Sequence, residues 1–185
     1  MTHQAATTSN PRTPARVRLR PTMQSDLDFV ISLETDPANL PYIVPWERTQ
    51  HEAAIRFPDF RHFIIEGGED LDPVGFLILI GCRSRNLSIE LKRMVVQRKG
   101  AGFGRAALRV AKKVAFDDLG AHRFWLDVRT HNTRAKELYD SEGFVVEGVL
   151  RESVRGANGF DSLAVMSLLE SEFMARRDRA LELVR

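Results

Sequence analysis

The chain has 185 residues, 43% hydrophobic and 28% charged, with a formal net charge of +2: the size of one domain with a substantial core and the composition of a soluble globular protein. So small a charge, with dispersed basic residues and no aromatic-basic alternation, argues against a nucleic-acid partner. The single cysteine, Cys82, excludes a disulfide framework or a cysteine metal cluster, and no apolar run reaches the roughly 20 residues of a membrane span.

Residues 1–15 are rich in Thr, Ala, Pro, Ser and Gln without apolar periodicity, and read as a mobile tail ahead of a single domain over 16–185. They contain no apolar signal-peptide core, so a cytoplasmic enzyme or binding protein is the default expectation. Val17–Pro21 alternates apolar and basic residues and stops at a proline, as a short strand does. Ser25, followed by Asp26 and Asp28, is expected to cap a helix running to about Thr35. From Asp36 to Arg48, Pro37, Pro41 and Pro45 forbid a regular helix. Leu40, Tyr42, Ile43 and Trp46 on that loop either line a pocket or staple the loop to the core. A short helix around Gln50–Arg56 follows.

Three strands come next: Phe60–Glu66, Pro73–Gly81 and Leu87–Val96. The second is apolar on both parities, so both its faces are expected to be covered. The third alternates strictly through Leu87, Ile89 and Leu91, loses its parity at Lys92-Arg93, and resumes as Met94-Val95-Val96. That break is what a β-bulge produces. Cys82 lies beside these apolar runs and reads as a structural thiol.

Gln97-Arg-Lys-Gly-Ala-Gly-Phe-Gly-Arg105 then links the strand to a helix marked by Phe103, Ala107, Val110 and Val114. Glycines between a strand and a helix leave outward-facing N–H groups at the positive end of the helix dipole, which suits a phosphate or diphosphate. Arg105 stands where a dinucleotide fingerprint needs glycine, and Arg105-Ala106 where a nucleotide P-loop needs Lys-Ser/Thr. Arg109, Lys112 and Lys113 read as a solvated helix face. Beyond Gly120 come a strand over His122–Val128, a helix capped at Asn132 or Thr133 and closed by Gly143, and strands over Phe144–Val154 and Ser162–Leu169. The turn Gly156–Gly159 joins these last two, and Ser171–Arg185 reads as a charged terminal helix. The order β-α-α-β-β-β-α-β-α-β-β is that of an α+β or mixed α/β fold with helices on both faces of a sheet.

Gln97-x-x-Gly100-x-Gly102 after a bulged strand, Asn132-x-Arg-Ala-x-x-Leu-Tyr139, Gly143-Phe144 and Glu147-Gly148-x-x-Arg151 resemble the GNAT acetyltransferase superfamily. Within it, the chain looks like the ribosomal-protein N-acetyltransferase branch. The resemblance is detailed over Leu87–Arg155 and looser from Val17. It implies a mostly antiparallel sheet of about seven strands, splayed at two parallel strands, and acetyl-CoA as the donor. It also implies that Met94, Val95 and Val96 hold the pantetheine arm from one side and Asn132 from the other. The diphosphate would lie on Arg98, Lys99, Gly100, Ala101, Gly102, Phe103, Gly104 and Arg105.

By the same resemblance Tyr139 is the catalytic tyrosine, contacting the coenzyme as the acid that protonates the departing thiolate. A phenol near pKa 10 suits that role. Two bases stay open: Asp127, at a position where a ribosomal-protein acetyltransferase carries a glutamate that works through water, and Glu90, on the strand beside the coenzyme. Either could instead pair with Arg93 or Arg123. Tyr42 and Trp46 are the candidate acceptor-binding residues, and no metal is expected. The expected enzyme acetylates a primary amine of a peptide N-terminus, an amino acid or another small molecule, as a monomer or homodimer. The alternative is an idle acyl-CoA-binding sensor or scaffold.

Overall fold

The computed structural model describes residues 16–156 and 159–182. The tail read over 1–15, the middle of the Gly156–Gly159 turn and residues 183–185 lie outside the described residues. Strand β1 (Val17–Pro21) leads through a 3-10 turn at Gln24–Asp26 into helix α1 (Leu27–Glu34), and helix α2 (Arg48–Arg56) follows the proline-rich loop. Strands β2 (Phe60–Gly67), β3 (Asp72–Ile80) and β4 (Ser88–Val96) form a meander. Then come α3 (Phe103–Lys113), prolonged by a π-helical turn at Val114–Asp118, β5 (Arg123–Arg129) and α4 (Thr133–Ser141). Strands β6 (Val145–Gly156) and β7 (Gly159–Leu169) precede α5 (Glu170–Glu182).

The seven strands make one sheet in the order β1-β2-β3-β4-β5-β7-β6, antiparallel throughout except between β4 and β5. The expected α+β architecture is therefore the observed one. One core cluster packs Ile89 and Leu91 of β4 with Leu108 and Ala111 of α3 and Leu126 of β5. The other packs Val95 with Val30 and Leu33 of α1 and Phe76 and Ile78 of β3.

The change of cluster along β4 comes from the expected bulge. Ile78 pairs with Arg93 and Leu79 with Leu91, which leaves Lys92 as the extra residue. Side chains alternate strictly along a strand, so one inserted residue moves every later side chain to the other face. Ile89 and Leu91 thus face α3, whereas Arg93 and Val95 face α1.

Two helix starts differ from expectation. Ser25 lies inside the 3-10 turn, and Asp26 does the capping by accepting the Met23 N–H at 2.8 Å while Arg20 holds its carboxylate. Helix α2 begins at Arg48 rather than Gln50, because the Gln50 side chain accepts the Glu47 N–H at 2.8 Å and closes a capping box there.

The basic side of α3 is a larger correction. Arg105, Arg109 and Lys112 converge on Glu142, just past α4, at 2.8, 3.0 and 2.9 Å. Burial pushes the Glu142 carboxyl up, but these three cations outweigh it and hold the carboxyl at about 2. Of these side chains only Lys112 is buried; Arg105 and Arg109 reach Glu142 while staying exposed, and Lys113 is exposed as well. The sequence places these cations on one face but contains no sign that a carboxylate 30 residues away completes them.

Cys82 is half-buried against the core, and burial raises its thiol, as a structural cysteine requires. The outer strand β6 leaves Val145, Val146, Val149 and Leu150 about half exposed. No helix among the described residues is long and apolar enough to cross a membrane.

Candidate active site

Parallel pairing between β4 and β5 stops after three residue pairs, the last being Glu90 with Trp125. From Leu91 onward the β4 backbone has no strand partner on that side, because the bulge at Lys92 turns it away. The gap opens into a cavity of about 1060 Å³ that runs from the glycine turn to the proline-rich loop. Met94, Val95 and Val96 line one wall, and Asp127, Asn132, Leu138 and Tyr139 line the other.

At one end lies the glycine turn. Gly100 and Gly102 have φ of +84° and +88°, and Gly102 is the residue that caps α3. A side chain at such φ is strained, so glycine lets the chain enter the helix directly from the strand. The first donor to close the helical ladder is the Ala106 N–H, on the Gly102 carbonyl at 3.1 Å. The N–H groups of Phe103, Gly104 and Arg105 therefore head the helix without intrahelical acceptors. Arg98, Lys99, Arg105 and Arg134 border this end. Backbone donors at a helix N-terminus, flanked by cations and opening onto a slot between splayed strands, fit a diphosphate carrying a long narrow arm. Ala101 and Phe103 do not line the cavity. Phe103 is a core residue under the Arg98 guanidinium, so its share in the turn is limited to the backbone.

In the middle of the cavity, Tyr139 is 9% exposed, and among the described residues nothing hydrogen-bonds its hydroxyl. Burial, and then the nearby Asp127 carboxylate, push the phenol up to about 12, above the value read from the sequence. Asp127 is half-buried and, among the described residues, makes no hydrogen bond or ion pair. Asn132 caps α4, its side-chain oxygen accepting the Ala135 N–H at 3.3 Å, which leaves its amide N–H₂ available. The two candidate bases separate here. Glu90 does not line the cavity and pairs with Lys92 at 3.0 Å, not with Arg93 or Arg123. Those two arginines pair with Glu34 and Glu147 instead.

At the far end the proline-rich loop reaches across both walls. Lys99 Nζ donates to the Ala38 carbonyl at 2.7 Å, and His131 lies 3.2 Å from the Pro41 carbonyl. Tyr42 and Trp46 both line the cavity, so of the two readings of this loop, pocket lining and stapling, both apply. The staple is Glu34, which is 0% exposed. It accepts the Trp46 N–H at 2.5 Å and the Arg93 guanidinium, which lies 5.2 Å from the Trp46 ring. His51 Nε2 is 3.3 Å from the same carboxylate but off hydrogen-bond alignment. Burial raises the Glu34 carboxyl, yet His51, Arg93 and the Trp46 N–H together hold it below the usual carboxylate range. His51 Nδ1 continues to His62 at 3.0 Å, and His62 to Thr22 at 2.9 Å.

Glu34, Arg93 and His51 are the residues that sequence reasoning missed. Arg93 falls on the parity break, which signals its unusual orientation, whereas nothing local marks Glu34 or His51 as partners.

Three comparisons bear on this geometry. The acetyltransferase (GNAT) domain family matches residues 16–145. The spermidine N(1)-acetyltransferase of Vibrio cholerae is 24% identical over 175 residues, 89% of this chain and 99% of its own length. A crystal structure of the V. cholerae spermidine N-acetyltransferase in complex with CoA and spermine matches at a TM-score of 0.78 and 25% identity, covering 85% of this chain and 98% of the other. A dodecameric structure of that enzyme in an intermediate state matches at 0.74 and 25%, covering 86% and 97%.

Proposed function

The chain belongs to the acetyltransferase (GNAT) family, and from that premise we propose that a primary amine attacks the acetyl group directly in this cavity, with Tyr139 as general acid. Acetyl-CoA is the donor, and when bound it supplies an acetyl carbonyl activated as a thioester. The glycine turn and the head of α3 are the parts suited to its diphosphate; the unpaired β4 edge and the Asn132 amide are suited to its arm. The Val96 N–H, at the splay, is the proposed donor to the carbonyl oxygen.

The observation that carries the reading is that the hydroxyl of the mostly buried Tyr139 and the Asp127 carboxylate both line the cavity near the splay, neither with a hydrogen-bond partner among the described residues. An amine must lose one proton as its nitrogen bonds to the carbonyl carbon, and the sulfur must gain one as the C–S bond breaks. Asp127 takes the first, directly or through water, and Tyr139 gives the second. Glu90 has neither access to the cavity nor a free carboxylate for this role.

A phenol held near 12 is a weak acid while Asp127 is charged. Protonation of Asp127 removes the electrostatic part of that elevation. The proton collected from the amine therefore makes Tyr139 a better donor just when the thiolate forms, which couples the two transfers.

The test is thiol release from acetyl-CoA with a panel of amines and N-terminal peptides, for the wild type and Tyr139→Phe. The variant removes a hydroxyl that nothing hydrogen-bonds among the described residues, so it should fold and bind CoA as before. Its kcat should fall by about 10²- to 10⁴-fold, the usual worth of a positioned proton donor. Full turnover in Tyr139→Phe would remove Tyr139 from the mechanism. Coenzyme binding without thiol release from any acceptor would favour the idle binding module.

A further inference from the structure

We infer that the acceptor is an amine bearing a carboxylate or comparable anion, and that Lys92 receives this anion; the inference rests on the acetyltransferase reading above. It comes from the charges at the acceptor end of the cavity. Lys92, Arg93 and Arg129 line that end, and Asp127 is the carboxylate facing them. The carboxylates that neutralise the cations do not line it: Glu90 lies on Lys92, Glu34 on Arg93 and Asp161 on Arg129. Glu34 is fully buried with its oxygens on Arg93 and the Trp46 N–H, so it cannot turn to a ligand without breaking both bonds.

The three cations differ in what they can still donate. Arg93 is 8% and Arg129 7% exposed at the side chain, and each is held by its carboxylate; Arg129 also reaches the Arg155 carbonyl. Lys92 is 34% exposed and uses a single donor, on Glu90 at 3.0 Å. An ammonium has three donors, so two remain.

Lys92 and Asp127 lie on the two strands just past the point where their pairing ends. Glu90 and Trp125 are the last paired residues of the parallel strands, and Lys92 and Asp127 each stand two residues further along. Both side chains line the cavity from either side of the splay. A cation and an anion facing each other across the site match a small zwitterion, with the reacting nitrogen on Asp127 and the anion on Lys92.

A polyamine fits this end poorly. Once Asp127 holds the reacting nitrogen, every further ammonium group would enter among Lys92, Arg93 and Arg129. An ammonium taken out of water without a partner carboxylate is strongly disfavoured. Glu137, the other carboxylate on the lining, is exposed on α4 one turn from Arg134, at the diphosphate side. The spermidine acetyltransferases to which this chain is similar therefore do not set its acceptor class.

The test is steady-state acetyl transfer by the full chain, with acetyl-CoA saturating. The acceptors are glutamate, glutamate diamide, peptides with glutamate or alanine at the N-terminus, and spermidine. A carboxylate-bearing amine should exceed its amide and spermidine by about tenfold or more in kcat/KM, as one charged hydrogen bond allows. The free amino acid and the glutamate-initiated peptide distinguish the two sources of the same chemistry. In Lys92→Gln the advantage over the amide should vanish through KM, with kcat and CoA affinity retained, and the retained CoA affinity reports an intact fold. Spermidine turnover equal to that of the anionic amines, or an unchanged KM in Lys92→Gln, would overturn the inference and leave the acetyltransferase reading standing. No thiol release from any acceptor would overturn both.

Discussion

Replacing Glu34 by glutamine should destabilise the protein by about 3 kcal/mol and loosen the acceptor end of the cavity. Glu34 is 0% exposed, and the Arg93 side chain that it neutralises is 8% exposed. Removing one member of a buried pair strands the other charge, which typically costs about 3–5 kcal/mol. Glutamine keeps the volume and one carbonyl oxygen for the Trp46 N–H, so the lower end of that range applies. For a chain of this size the loss corresponds to a fall of about 6–12 °C in Tm. Denaturant titration and calorimetry measure it directly. Because Trp46 and Arg93 line the cavity, KM for the acceptor should rise more than the Kd for CoA. Combining Glu34→Gln with Arg93→Met removes the stranded charge and should bring the deficit back to about 1 kcal/mol. If the single substitution costs less than about 1 kcal/mol, or the double is no more stable than the single, the buried pair is not what fastens this loop.

Two further outcomes follow from the geometry. Burial, and then the neighbouring His51, lower His62 to about 4 from its usual 6.5. A depressed base favours the unfolded state when protonated, so this contribution is present above pH 6.5 and is lost as pH falls toward 4. Stability should drop by about 2 kcal/mol between pH 7 and 4.5, above the range where the Glu34 and Glu142 carboxylates titrate. His62→Gln should flatten the profile in that window, and an unchanged slope would place the titration elsewhere. Gly102→Ala, at φ +88°, should cost about 1–2 kcal/mol and weaken CoA binding in calorimetric titration, since the strained residue heads α3. Wild-type melting and affinity together would contradict the account of the turn.

Much of the fold is written locally. The alternation of Leu87, Ile89 and Leu91, its loss at Lys92-Arg93 and the glycines after Val96 are short-range signals, and the strand, bulge and turn they imply are those observed. The helix starts near Ser25 and Gln50 were displaced because the Asp26 and Gln50 side chains reach back to the backbone N–H of Met23 and Glu47, three residues earlier. Tyr139, Asp127, Tyr42 and Trp46 all line the cavity, so the meeting of the candidate acid, one candidate base and the candidate acceptor residues was legible from motif and loop composition. Glu90 was not distinguishable from Asp127, because both are acids on strands beside the same gap. Glu90 stands at the last paired position and Asp127 beyond it, so only Asp127 reaches the gap.

The sequence by itself determined the order of elements, the bulge, the glycine turn and the resemblance that names the coenzyme. Each depends on the chemistry of neighbours along the chain. Only the tertiary structure decided which charges are free. Glu142 gathers the α3 cations across 30 or more residues, Glu34 reaches Arg93 across 59, and Asp161 occupies Arg129. Once these pairs are formed, the Asp127 carboxylate and two Lys92 donors are left on the cavity lining without a partner among the described residues. Ion pairing is set by distance in space and by desolvation, and a linear pattern of residues contains neither.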